Sequence, residues 1–424
     1  MTLAIDVDGD WAALGGPTPI GRLLVDRVRG KESFAFSYEE AWPASKHCQL
    51  LDPELQLYIG PQHPPDQERN NFGVFLDSSP DRWGRMLMQR REAHRARLER
   101  REPARLMESD YLLGVHDEQR LGGLRLRTAA DGPYLNAESE LAAPPWTALR
   151  DLENAAWTLQ SDAQVSSKNL SESLRLLVAP GSSIGGARPK AGVVDEYGQL
   201  WIAKFPGRND DRDIGAWEQV TSELARLAGV TISDSMVETF GRPHHTFLTK
   251  RFDRQTSNQV RQRRHFASAM TMLGYRDGDD HSSGASYLEI AEWIIQNQQS
   301  TDDDLSQLWR RIVFSICVSN TDDHLRNHGF LLTDHGWRLS PAYDLNPDPQ
   351  GTGLSLNISE IDNALNLDLA REVAPYFRVD SPVVNQIIEQ VTESVSQWRT
   401  VASQHGIKRS EQNRIKPAFG RVEK

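Results

Sequence analysis

Phosphoryl transfer asks little covalent chemistry of a protein. It needs a cradle for the phosphates, a cation on their oxygens, hard oxygen ligands for magnesium, and a carboxylate to orient the attacking hydroxyl. The sequence offers each of these, in a consistent order, between Ser182 and Asp344. The first is the run Gly181-Ser182-Ser183-Ile184-Gly185-Gly186-Ala187-Arg188-Pro189-Lys190. Its small residues let backbone N–H groups approach phosphate oxygens, and Arg188 and Lys190 add positive charge. Walker-type G-x-x-x-x-G-K-[ST] spacing is absent, so a flexible loop with incidental charge is the plainer alternative.

The second is Lys204 in the strand-like run WIAKFP, placed to hold a cation against the α- and β-phosphates. A surface lysine laying its stem over apolar neighbours would read the same. Glu218, on the next helix, could pair with it, although a solvated carboxylate is the commoner fate of such a residue. The third is Asn320-Thr321-Asp322-Asp323-His324-Leu325-Arg326-Asn327. Asp322 and Asn327 have the Asp-x-x-x-x-Asn spacing of a kinase catalytic loop, with the Asp as base and the Asn as metal ligand. Spacing alone is a weak signal in a long chain. The flanks strengthen it: IVFSICV leads in, and FLLTDHGWRL leads out to Ser340-Pro341-Ala342-Tyr343-Asp344. Catalytic Asp, metal Asn, hairpin, metal Asp is the order of kinase-like phosphotransferases.

The elements that must position these residues follow from periodicity. Short strand-like pieces (LAIDV, IGRLLV, FAFSY, LQLYI) separated by Gly, Pro and Asp turns fill the first ~125 residues. A helix is predicted from Asp81 to about Leu106, and a linker over Thr128 to Pro145. AGVVDEYGQLWIAKF reads as a hairpin turning at Asp195 to Gly198. A helix over about Asp213 to Leu227 ends at Gly229, and HTFLTKRF follows as a strand. Beyond Arg264 the pattern turns helical, broken by GYRDGDDHSSGAS and by the hairpin before Asp344. Strands first and helices later point to an α+β protein.

The runs Lys250-Arg251-Phe252-Asp253-Arg254 and Asn320 to Asn327, with Ser183 to Lys190 and Ala342-Tyr343-Asp344, resemble the HipA family of bacterial toxin kinases. Phe75-Leu76-Asp77-Ser78-Ser79-Pro80-Asp81-Arg82 and the strand pairs before it extend the resemblance over most of the chain. It implies a two-lobed, protein-kinase-like α+β fold with an additional N-terminal mixed α/β subdomain. The division would be 1–145 for that subdomain, 146–255 for a kinase N-lobe and 256–424 for a mainly helical C-lobe. By the same resemblance Ser183 is the autophosphorylated serine, with Ser182 as its rival, and Lys204 is the ATP-phosphate lysine. Gly185, Gly186, Ala187 and Lys190 belong to the phosphate loop, and Lys250 to Phe252 border the adenine. Asp322 is the catalytic base, and Asn327 and Asp344 ligate Mg2+. The implied activity is a toxin serine/threonine kinase. The implied partners are a DNA-binding antitoxin, with DNA reached only through that complex, and a protein substrate such as an aminoacyl-tRNA synthetase. Two rivals stand beside it: a small-molecule kinase with the same loop order, and a catalytically quiet co-repressor.

Composition narrows the rest. The net charge of −11 argues against direct nucleic-acid binding by the whole surface. Two distant cysteines, Cys48 and Cys317, exclude a disulfide scaffold and fit a reducing cytosol. No apolar run approaches the ~20 residues needed to cross a bilayer, and the start MTLAIDVDGD lacks a secretory pattern, so a cytoplasmic protein is expected. Ala4-Ile5-Asp6-Val7-Asp8-Gly9 superficially matches a phosphatase D-x-D-G start, but an acidic turn between strands accounts for it better. The arginines at 85, 90, 91, 95, 97, 100, 101 and 105 read as a solvated helix face, or more sharply as a patch facing DNA phosphates. His244, His245, His281, His324 and His328 show no transition-metal spacing, and His324 is expected to shape the catalytic loop.

Overall fold

The computed structural model describes residues 2–65, 71–135, 143–160, 167–178, 186–257, 260–297 and 301–422 of the 424. They form two units: Met1–Asn209 with Asp253–Ala267, and Asp210–Phe252 with Ser268–Lys424. Among the described residues no helix is long and apolar enough to cross a membrane.

The first unit begins with an antiparallel sheet in the order Lys31–Tyr38, Thr18–Val28, Thr2–Gly9, Leu124–Arg127. Alternation builds it. Ile5, Val7, Leu23, Val25, Phe34 and Phe36 all turn inward, and the register sets Ile5 opposite Leu23 and Leu23 opposite Phe36. The acidic run at its start lies within the strand rather than in a turn. Asp6 pairs with Arg22 at 2.7 Å, and buried Asp8 accepts the Tyr134 hydroxyl at 2.6 Å. LQLYI is not a strand either. Pro53, Gly60 and Pro61 bracket it, Leu57 to Ile59 are exposed, and an isolated bridge from Gln62 to Phe36 is the sheet pairing there.

The predicted helix runs over Arg82–Glu99 and stops at Arg100, whose φ of 52° is left-handed, shortly before Pro103. Within it Arg85 pairs with Glu108 and Arg95 with Glu99, and just beyond it Arg101 pairs with Glu92. Helices Leu149–Leu159 and Ser167–Leu177 pack on one another. The hairpin Lys190–Val194/Leu200–Lys204 turns where expected, with the Asp195 carboxylate accepting from Tyr197 N, Gln199 N and Trp201 Nε1 at 2.8–2.9 Å. A short hairpin, Arg254–Ser257/Val260–Arg263, completes the unit.

In the second unit the helix Ile214–Leu227 is capped by Asp213, whose carboxylate accepts from Ala216 N at 3.1 Å and His245 Nδ1 at 2.5 Å. Gly215 is required because a Cβ there would stand 2.3 Å from the His245 carbonyl oxygen, beside the strand Thr246–Lys250. That strand pairs with Ser235–Glu238. The core is helical. Thr301–Val318, buried through its C-terminal half, packs against Tyr287–Asn297 and Ser381–Ser396. The hairpin Gly329–Thr333/Gly336–Leu339 follows the Asn320–Asn327 run, as its residues predict.

Candidate active site

The first unit supplies two lysines. The hairpin register sets Lys190 directly opposite Lys204. Opposed residues of antiparallel strands project from one face. Both ammonium side chains therefore share a side of the hairpin, and both are buried. Like charges directly opposite one another on a sheet repel.

Gly186 leads into the hairpin with φ 93°, and a Cβ on it would stand 3.0 Å from Lys190 Nζ. Its N–H donates to the Asp81 carboxylate, its carbonyl accepts from Trp83 N at 3.3 Å, and Trp83 Nε1 donates to the Lys190 carbonyl at 3.0 Å. The start of the Arg82–Glu99 helix thus moors the C-terminal end of the glycine loop, while Ala187 is exposed. Ser182, Ser183 and Gly185 lie outside the described residues.

The second unit supplies the carboxylates and amides. Thr301–Val318 ends at Ser319, which has φ 51° and is held by Arg421 and by the Ala418 carbonyl, each at 2.8 Å. The chain then presents Asp322 exposed and Asp323 fully buried. The Tyr287 hydroxyl donates to Asp323 Oδ2 at 2.6 Å, Ser315 Oγ lies at 3.3 Å, and His328 Nε2 is 3.1 Å from Oδ1. Burial pushes the Asp323 pKa up, but the His328 charge and these hydrogen bonds outweigh it and hold the carboxyl below its ordinary range. Burial and Asp323 together raise the Tyr287 pKa well above its usual value, so its hydroxyl stays protonated as the donor. Asp322 therefore directly precedes a residue held by the buried Tyr287–Asp323 hydrogen bond and the His328–Asp323 contact.

Asn327, buried, donates Nδ2 to the Asp322 carbonyl at 2.8 Å, which leaves its amide oxygen as the atom available to a metal. The backbone closes the loop at His324: its N donates to the Asp322 carbonyl at 3.1 Å and its carbonyl accepts from Asn327 N at 2.8 Å. Asp344 is left-handed, with φ 60°. The Tyr343 hydroxyl donates to the Arg326 carbonyl at 2.6 Å, and Asn346 N donates to Asn320 Oδ1 at 3.0 Å. The structure thus brings the Asn320–Asn327 loop and the Tyr343–Asn346 segment together. Phe252 packs its ring 5.4 Å from that of Tyr343, and Lys250 closes its strand with N donating to the Asp234 carbonyl at 2.9 Å.

The sequence did not single out Asn346. Its Nδ2 lies 3.3 Å from Asp344 Oδ1, and its Oδ1 is buried with no hydrogen-bond partner. An orphaned amide oxygen beside a carboxylate fits a divalent cation as a third hard donor. An amide two residues beyond a candidate metal Asp was the available signal. Glu218 is buried rather than solvated.

Residues 182–399, just over half of the chain, match the HipA-like C-terminal domain family. The protein belongs to this family. The serine/threonine-protein kinase toxin HipA of Shewanella oneidensis is 27% identical over 192 residues, covering 39% of this chain and 43% of that protein. A Haemophilus influenzae protein, provisionally named a kinase, is 26% identical over 179 residues, 39% of this chain and 52% of that protein. The matched stretches thus span about half of each curated relative, or less. A solved complex of HipA, HipB and operator DNA from Shewanella oneidensis MR-1 contains a chain that superposes with a TM-score of 0.64 at 17% identity, covering 96% of this chain and 95% of that one. The HipA-like fold therefore extends through the region before residue 182, and the α+β, kinase-like fold expected from the sequence is the one found.

Proposed function

We propose that this HipA-like protein is an ATP-dependent serine/threonine protein kinase. The observation that carries the reading is Asp322: an exposed carboxylate on a loop pinned from beneath by the Tyr287–Asp323–His328 cluster and tied to the Asp344 segment. In this reading Asp322 orients the acceptor hydroxyl and takes its proton. Lys190 and Lys204 hold ATP phosphates, with Gly185, Gly186 and Ala187 offering backbone groups to them. Lys250 to Phe252 border the adenine. Asn327 and Asp344, with Asn346, would hold magnesium, which when bound would neutralise charge on the transferring phosphate. Ser183 is the residue that the enzyme phosphorylates on itself, with Ser182 next in order. A toxin role, and a DNA-binding antitoxin that carries the complex to DNA, are supported by the name of the Shewanella protein and by its complex with HipB. An aminoacyl-tRNA synthetase as substrate rests on family resemblance.

The test is phosphoproteomics after induced expression, with Asp322→Ala as the control. New phosphoserine or phosphothreonine on host proteins should appear only with the wild type. Identical phosphoproteomes would refute the proposal.

A further inference from the structure

A polar cavity of about 410 Å³ opens in the second unit beside the catalytic loop, within the size range of small-ligand sites. Thr321, the residue before Asp322, forms part of its wall, with Asp280, His281 and Asn363. The rest is largely the 350–355 segment, which follows Asp344 and Asn346 in the chain. That segment lies flush on the loop: a Cβ on Gly351 would stand 2.3 Å from Thr321 Cγ2, and one on Gly353 would stand 2.8 Å from Asn363 Nδ2. Neither position therefore accepts a side chain without displacing its neighbour. The Thr321 carbonyl accepts from Ser355 Oγ at 2.8 Å, and Thr321 Oγ1 donates to Asp348 at 3.0 Å. Thr321, fixed in the cavity wall by these bonds, is thus the residue next in sequence to the candidate base.

We propose that this cavity is the acceptor site of the kinase, and that it selects a lysine or arginine close to the phosphorylated serine or threonine. The inference rests on the kinase reading above. No lysine or arginine lines the cavity among the described residues, and Asp280 is its carboxylate. Asp280 Oδ1 accepts from Ser282 N at 2.8 Å and Ser282 Oγ at 2.6 Å, bonds that hold its pKa below the ordinary range and keep it charged. His281 Nδ1 lies 3.9 Å away. Asp277 and Asp279 stand on the same segment, with Arg276 beside them and Arg326 3.4 Å from Asp277, so carboxylates outnumber guanidinium groups there. The local field therefore favours a basic guest.

The experiment uses the purified full chain with Mg2+-ATP and synthetic peptides that carry one serine flanked by lysine, alanine or glutamate. The wild type should favour the lysine peptides over the glutamate peptides by roughly tenfold in kcat/KM, mainly through KM. Asp280→Asn should reduce this ratio by roughly fivefold, and Asp280→Lys should abolish or invert it. Thermal unfolding of both variants with a Tm within a few degrees of the wild type shows that they fold. The same ranking in wild type and Asp280→Lys, or no charge preference in a protein that labels itself, overturns this inference alone. Absence of all label, on peptide and on protein, removes the kinase reading and this inference with it.

Discussion

Replacing Tyr287 by Phe removes one hydroxyl and leaves the ring in place. That hydroxyl donates to the buried Asp323 carboxylate at 2.6 Å, directly beneath the candidate base. A buried, charge-assisted hydrogen bond of this length contributes about 2 kcal/mol, roughly a thirtyfold change in the folding equilibrium. The sign with pH follows from Asp323. Its folded pKa lies below the ordinary range, so its stabilisation is fully present above the unfolded value of about 3.9 and is lost as pH falls through the folded pKa. The deficit of Tyr287→Phe should therefore be full at neutral pH and shrink as the solution is acidified into and below the ordinary carboxylate range. Urea unfolding of both proteins over a pH series reads this directly. Turnover should also fall, by about tenfold, because Asp322 loses part of its support and small displacements of a catalytic group are costly. A urea midpoint equal to wild type at neutral pH, or a deficit that does not narrow in acid, would refute the reasoning.

Three further outcomes are expected. Asn346→Ala should raise the Mg2+ concentration needed for half-maximal turnover by roughly tenfold, with nucleotide-free stability little changed; an unchanged metal titration would remove Asn346 from the metal site. Gly351→Ala should lower turnover by about a hundredfold, because its methyl would press within 2.3 Å of Thr321 Cγ2 next to Asp322, and adding Thr321→Ala should restore part of it; full activity in the single variant would contradict the packing. Mass spectrometry of the active protein should find phosphate on Ser183, or on Ser182, and that form should bind ATP poorly through like-charge repulsion; tight ATP binding by the phosphorylated form would sink the switch.

Where local chemistry decides, the sequence already carries the structure. Alternation in LAIDV, IGRLLV and FAFSY yields three neighbouring strands, Asp195 to Gly198 turns a hairpin, and Asp213 and Gly229 bound a helix. LQLYI has strand-like residues but is bracketed by Pro and Gly and joins the sheet only through the Gln62 bridge. Ser235–Glu238 is a strand because it meets Thr246–Lys250, a partnership its own short run does not announce. The same distinction holds at the site. As candidates, Asp322 and Asn327 come from spacing, Asp344 from the hairpin that leads to it, and Lys204 from its strand. Tyr287, Asp323 and His328 were not readable, because the Tyr287–Asp323 bond joins residues 36 apart and no local pattern encodes a buried cluster. Lys190 could be read as loop charge, yet its place opposite Lys204 needed the register.

The central claim is that Asp322 acts on the acceptor while other residues hold the nucleotide. The direct measurement is transfer of γ-labelled phosphate from Mg2+-ATP by purified wild type and Asp322→Ala, with ATP affinity measured on the same samples. The account predicts that the variant loses roughly 100-fold or more in transfer and binds ATP as the wild type does, and that EDTA abolishes transfer by the wild type. Transfer by Asp322→Ala at the wild-type rate, or full transfer in EDTA, would contradict it.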